Sequence, residues 1–282
     1  MHKQDSKFRL NFNYLSLLAF LFAIPIGLLG GLIGLGGAEF RLPVIAGILN
    51  YPVRQAVPIN LAVSLITIAA SLAIRSSTVS FAPAVHFLPA ILATIAGAIV
   101  TAFFGPALSG KLSNEQLERV VLVLLVTIGM ALIVEGFLPQ QLPALIPASV
   151  SLWILSGILF GLAIGLVSSL LGVAGGEIII PTFLFAYGAD IKTAGTISLL
   201  ISLPTVIVGV LKYQSLGGFS DRAAISRTIA PMGIGSIIGA IVGGLSIGLI
   251  SPAILKILLG IILNVSAFKV FHKTRFQVKR DK

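Results

Sequence analysis

The sequence predicts an all-α polytopic membrane protein: about eight transmembrane helices, two short broken or re-entrant segments, and an internal two-fold duplication. Three observations carry this. Of 282 residues, 57 % are hydrophobic and only 10 % charged, with a mean hydropathy of +1.09. Apolar runs long enough to cross a bilayer recur along the whole chain. And the two halves align without a gap, in one register that sets Gly27 on Gly165 and still sets Gly110 on Gly248. A soluble domain carries about 25 % charged residues, so a single water-facing globule is excluded. Eight spans of about 20 residues would use roughly 160 and leave only short loops, with no room for a separate soluble domain.

The ends come first. A net charge of +10 and a pI near 10.2 would suggest nucleic acid in a soluble protein. Here much of the excess flanks the membrane segments, with Lys3, Lys7 and Arg9 at the start and Lys269, Lys273 and Arg275 among those at the end. Basic residues beside spans mark the cytoplasmic side, so both termini are expected there, and no nucleic-acid partner is. The N-terminus looks like a signal peptide over Leu15 to Ala23, but apolar sequence continues through Pro25 without a small-residue cleavage site. It is read as a retained first span. With no cysteine there is no disulfide or thiolate metal site.

Spans are expected at about 14–37, 55–74, 82–108, 117–138, 152–173, 193–213, 228–250 and 253–271, with turn signals at Gly217-Gly218 and Ser251-Pro252. The corresponding layout is a tail over 1–13, a first repeat over 14–138, a linker over 139–151, a second repeat over 152–271 and a basic tail over 272–282. Two shorter runs, 40–50 and 176–187, are too short to cross as helices and read as broken or re-entrant elements. Gly235, Gly239 and Gly243, at four-residue spacing, predict a helix face that another helix approaches closely.

The duplication places Gly27, Gly34, Gly37, Glu39 and Pro43 on Gly165, Gly172, Gly175, Glu177 and Pro181. Further on, Ala56, Ile59, Ser64 and Thr67 fall on Ala194, Ile197, Ser202 and Thr205. Apolar composition produces chance Leu and Ile matches, but not Gly, Glu and Pro in register. Such repeats are the signature of secondary transporters. Four crossings per half would make the repeats parallel and leave 13 of 19 Lys and Arg on the cytoplasmic side. Five, with the short run crossing, would make them inverted and leave about 15 of 19, although the short runs weigh against it. Both arrangements stay open.

The candidate site lies in the two glycine-rich segments, Gly27 to Pro43 and Gly165 to Pro181. Clustered glycine followed by proline destabilises a continuous helix. A break at membrane depth frees backbone N–H groups, and a short helix starting there points its positive end at the gap, which suits an anion. Gly34, Gly36 and Gly37, with Gly172, Gly175 and Gly176, are therefore candidate substrate-binding positions. It is not a phosphate loop, because the Gly-Lys-Ser/Thr ending is missing.

These two segments, with the duplicated halves and the span count, make the chain over about 15–271 resemble the TauE/SafE family of sulfite exporter-like membrane permeases. The resemblance implies a bacterial-type inner-membrane transporter of small anions, often sulfur-containing ones such as sulfite or organosulfonates.

Beside the glycines stand the charges. Glu39 and Glu177 are carboxylates in apolar surroundings, so each must be paired, protonated or facing water. They are read as candidates for proton coupling, against an ion pair of Glu39 with Arg41 or Arg54. Arg54 and Lys192 occupy equivalent positions and could meet an anion, as could Arg41 inside the first motif; a guanidinium fork suits sulfonate oxygens. Arg75 and Lys212 stand one position out of register at the far end of the spans that Arg54 and Lys192 precede, and are basic partners too; for all four end charges, snorkelling to the interface is the commoner alternative. Asn60 and Ser198 are paired polar positions within spans, and Ser64, Thr67 and their partners extend one polar face, which can line a path or bond backbone carbonyls. His86 and Glu135 read as interfacial end residues. No metal-ligand cluster and no Ser–His–Asp set is present, so no cofactor and no enzyme activity is expected.

The function expected is therefore alternating-access transport of a small anion. The lipid bilayer and that anion are the expected partners, and homo-oligomerisation stays open. The rival is a channel or cation permease using the two glutamates as a negative ring. A lipid-acting membrane enzyme lacks its nucleophile or metal.

Overall fold

A computed structural model describes residues 2–108, 114–138 and 143–278, and all regular structure among them is helical. The first half holds α1 (His2–Ile33), α2 (Ala38–Pro43), α3 (Val53–Thr78), α4 (Ala82–His86), α5 (Leu88–Leu108) and α6 (Asn114–Phe137). The second holds α7 (Val150–Leu171), α8 (Gly176–Pro181), α9 (Ile191–Ser215), α10 (Arg222–Ala224), α11 (Ala230–Ser246) and α12 (Pro252–Val278). Three five-residue π-helical turns, Val44–Ile48, Thr182–Ala186 and Ile225–Ile229, extend α2, α8 and α10.

Among the described residues, five stretches are long and apolar enough to cross a membrane: Tyr14–Ile33, Gln55–Thr78, Val150–Ser169, Ile191–Ser215 and Arg222–Ser246. Leu88–Phe104, Val126–Phe137 and Pro252–Val265 are shorter apolar stretches among the described residues. The expected first span stops early, at Ile33, because the four residues Gly34 to Gly37 leave the helix. The expected third span divides at Phe87 into α4 and α5.

Helix direction follows from which ends meet. Arg75, near the end of α3, donates to the Lys192 carbonyl and the Thr196 hydroxyl in the first turns of α9. At the other end, Pro58 lies against Gly218, just past α9. So α3 and α9, whose residues correspond in the repeat register, run antiparallel. Likewise α1 ends beside the start of α9, where Gly34 abuts Gly195, whereas α7 ends beside the start of α3, where Gly172 abuts Val57. The start of α1 reaches the π-turn before α11, with Ser16 donating to the Arg227 carbonyl. That side, to which α12 also returns, is called the terminal face; the ends of α3 and α6 and the starts of α7, α9 and α12 define the opposite face.

Two seams hold the bundle together. α1 packs on α11, and α5 on α7. A Cβ placed on Gly239 would run into the Ile24 carbonyl, and one on Gly243 into that of Leu28; Gly27 and Gly31 face Ser236 and Ala240 in return. Across the other seam Gly161 and Gly165 meet the carbonyls of Thr94 and Ala98. The glycine face expected from the sequence is thus a backbone-to-backbone contact, whose attraction is close van der Waals packing in lipid. Replacing Gly239 by leucine is expected to prevent folding, since overpacking by even a methylene or two costs about 1–3 kcal/mol and here backbone has to move. Gly248→Ala, where nothing lies within 4 Å of the added carbon, should express and melt as the native protein does. Comparing detergent-solubilised yields and Tm checks both.

Candidate functional site

The two glycine-rich segments take the same backbone path. Gly34 and Gly37 have φ of 94° and 70°, and Gly172 and Gly175 have φ of 66° and 80°. Side chains rarely tolerate this left-handed region, so glycine is what lets the chain leave one helix and start the next within four residues. Gly37 and Gly175 then sit at the N-caps of α2 and α8. Each short helix ends on a proline, Pro43 or Pro181, and relaxes into a π-turn. Proline lacks the donor for the usual helical bond and its ring crowds the carbonyl four residues back, which loosens the winding there.

The breaks meet near the centre. Gly36 packs against the Ala174 methyl, and Gly176 against the Leu35 backbone and the Ser198 hydroxyl. Asn60, fully buried on α3, ties them: its amide donates to the Ala38 carbonyl and to the Gly172 carbonyl, both at 2.9 Å. Ser202 donates to the Ala174 carbonyl at 3.0 Å. Ser198, the counterpart of Asn60, is fully buried with no hydrogen-bond partner for its oxygen.

Arg41 is the cation of this centre, and it has no solvent exposure. One terminal nitrogen donates to the Ser64 hydroxyl at 2.9 Å; the other donates to the Thr67 hydroxyl at 2.9 Å and to the Gly36 carbonyl at 3.3 Å. Its Nε has no partner. The two hydroxyls also donate to carbonyls of their own helix, Asn60 and Val63. The polar face of α3 therefore bonds backbone and receives the guanidinium as well.

Glu39 and Glu177 stand in the first turns of α2 and α8, where the helix dipole favours a negative charge. Both Glu39 oxygens and Oε2 of Glu177 are buried without a hydrogen-bond partner. The two carboxylates lie within electrostatic range of each other, and Glu39 within that of Arg41. The ion pair weighed for Glu39 with Arg41 does not form: the guanidinium is turned to hydroxyls and a carbonyl instead. The side chain of Arg54 lies outside the described residues. Lys192 joins the structure through its backbone, bonded to Asp190 and Arg75, rather than through an ammonium at the centre.

Two sequence readings are corrected. Arg75 does not snorkel: it is fully buried, and its guanidinium serves the carbonyls of Gly31 and Leu32 at the end of α1. Those groups have lost their helical partners because the helix stops at Ile33. Glu135 is not an interfacial end residue either. It is buried and paired at 2.9 Å with Lys256, joining α6 to α12. The sequence offered one signal, a lone charge of each sign inside an apolar run. Lys212 lies over the Phe103 ring, 4.6 Å from its centre. His86 is exposed and edge-on to Phe87 and Trp153.

Compared with known families, residues 4–132 and 157–282 match the family described as sulfite exporter TauE/SafE. The chain belongs to the TauE/SafE family. Nothing among curated proteins or solved structures matches it. As a TauE/SafE protein with this set of apolar helices it is a multi-pass membrane transporter, or permease. The match spans both broken segments.

Proposed function

We propose that this TauE/SafE protein carries a small anion, sulfite or an organosulfonate, across the inner membrane by alternating access, with protons as the coupling ion. The observation that supports it most is Arg41. A fully buried cation at the meeting point of two helix breaks, with hydroxyl and carbonyl partners but no carboxylate at ion-pair distance, leaves a positive charge to be balanced. A guanidinium matches the oxygens of a sulfur oxyanion in shape and charge. The remaining candidate ligands are the glycine amides of the breaks, Ser198 and Asn60.

Charge counting links the anion to protons. With Glu39 and Glu177 both ionised, the centre carries one net negative charge and repels an anion. With both protonated it carries one net positive charge and attracts one. An anion then moves with protons because an uncompensated charge at membrane depth is costly.

Two related halves inserted in opposite directions suit this cycle. The antiparallel α3 and α9, and the matching breaks at equivalent repeat positions, support an inverted duplication in which each short segment carries the chain back and so completes the fifth crossing of its half. In that arrangement about 15 of the 19 Lys and Arg fall on the terminal face, so this face, with both termini, is taken as cytoplasmic. The unpartnered carboxylates favour one other reading, a path for cations.

The test is flux in proteoliposomes. Labelled sulfite and a small sulfonate should show saturable uptake driven by a pH gradient. The Glu39→Gln/Glu177→Gln protein should keep uptake but lose its response to the gradient. Cation current without saturation, abolished by the same variant, would replace anion transport with the channel reading.

A further inference from the structure

We propose that the protein is caught closed on the opposite face, by an arginine latch and an aromatic plug, and open on the terminal face through a pocket at the matching positions. The proposal rests on the alternating-access reading and names the parts that must move.

The pocket, about 170 Å³, lies between the start of α3 and the turn that leads into α10. Gln55 and Ile59 line one side, and Phe219, Asp221 and Ile225 the other. In the repeat register Ile59, Ala224 and Ile225 correspond to Ile197, His86 and Phe87 on the opposite face. There the space is filled. Phe87 stacks on Trp153 with ring centres 5.5 Å apart and meets Phe183 edge-on at 6.4 Å. Tyr187 closes the cluster against Trp153 at 5.8 Å and Phe183 at 4.8 Å, its hydroxyl 2.9 Å from that of Ser156. The terminal-face counterparts of Trp153, Phe183 and Tyr187 are Leu15, Ile45 and Leu49, none of which carries a ring. Ile225 is accordingly 42 % exposed where Phe87 is 8 % exposed.

The latch is independent of the plug. Arg75 makes four hydrogen bonds, of 2.9 to 3.1 Å, from the end of α3 to the end of α1 and the first turns of α9. Its counterpart on the terminal face is Tyr213, which has no guanidinium to span three helices. The opposite face cannot part between α3 and α9 while these bonds hold. Opening there requires Arg75 to release α9 and the rings to separate, and closing the terminal face requires the pocket beside Ile59 to collapse.

The chain contains no cysteine, so a single introduced thiol is its only one. Ile59→Cys and Ile197→Cys, in membrane vesicles of either orientation, are exposed to a membrane-impermeant thiol reagent. Ile59→Cys is expected to react from the terminal face, and Ile197→Cys to be protected from the opposite face by about ten-fold or more. Adding Phe87→Leu with Trp153→Leu, or Arg75→Lys alone, should raise the Ile197→Cys rate and lower that of Ile59→Cys. That reciprocal change marks a shifted equilibrium, which loosening of the fold does not produce. Equal labelling of the two sites before any gate substitution would overturn the proposal. So would protection of Ile197→Cys that survives both gate variants, or a rise at both sites together. Labelling needs no transported anion, so failure of the anion assignment would show in the flux assay and leave this result standing.

Discussion

Replacing Arg41 by alanine should abolish anion flux in proteoliposomes, and replacing it by lysine should restore only a small part. The alanine variant removes the sole described cation at the meeting of the breaks, with its bonds to Ser64, Thr67 and the Gly36 carbonyl. Hydrogen bonds to a charged group contribute about 1.5–3 kcal/mol each, so losing two toward a bound anion corresponds to roughly a hundred-fold or more in apparent affinity. Lysine keeps the charge but lacks the planar fork that reaches two hydroxyls at once. It should therefore raise the KM for the anion more than it lowers the maximal rate. If the alanine variant instead transports at the native rate with an unchanged KM, Arg41 is a structural brace and the anion binds elsewhere.

A large effect on stability is expected at a different buried cation, Lys256. Glu135→Leu or Lys256→Leu alone leaves one charge between α6 and α12 without its partner, at a cost of about 3–5 kcal/mol. The double substitution removes both charges and should recover most of that loss, since a well-packed apolar pair often matches a buried ion pair. Tm in detergent is the measurement, and the expected order places the double variant above both singles. A double variant as unstable as the sum of its parts would mean that the two side chains do not act as a pair. Flux per folded molecule should be native in all three, because the bond these side chains make is to each other and not to the breaks or Arg41.

Some of this was legible in the sequence because its signals are local. Glycine clusters followed by proline marked both helix breaks, and the register that sets Gly37 on Gly175 predicted that they would match. Their backbone angles and the π-turn after each proline do so. The run read as 40–50 is a helix and π-turn from Ala38 to Ile48, two residues earlier, because Gly37 supplies the N-cap. Contacts between distant segments were not legible. Glu135 and Lys256 are 121 residues apart, and no periodicity joins them. Arg75 was misread for a physical reason. A basic residue near the end of an apolar run normally reaches the interface, but here α1 stops beside it and presents unpaired carbonyls. Helix direction was likewise undecided, since so short an apolar segment counts as a crossing or a loop with equal ease; only the ends that meet decide it. The choice between Asn60 and Ser198 as the tie across the breaks also needed coordinates, because equivalent positions carry side chains of different reach.

The two glycine seams have a mechanical consequence. Backbone packed directly on backbone leaves no side chain to change rotamer, so neither seam can slide by small steps. Each is therefore one stiff plank. Yet α1 comes from the start of the chain and α11 from near its end, and α5 and α7 are crossed over in the same way. In the proposed cycle, the bodies that rock against each other would thus not be the two stretches of sequence that resemble each other, but two composite pieces, each assembled from both. A chain cut between α6 and α7 would yield two fragments that each lack half of both planks, and neither could carry out any part of the motion by itself.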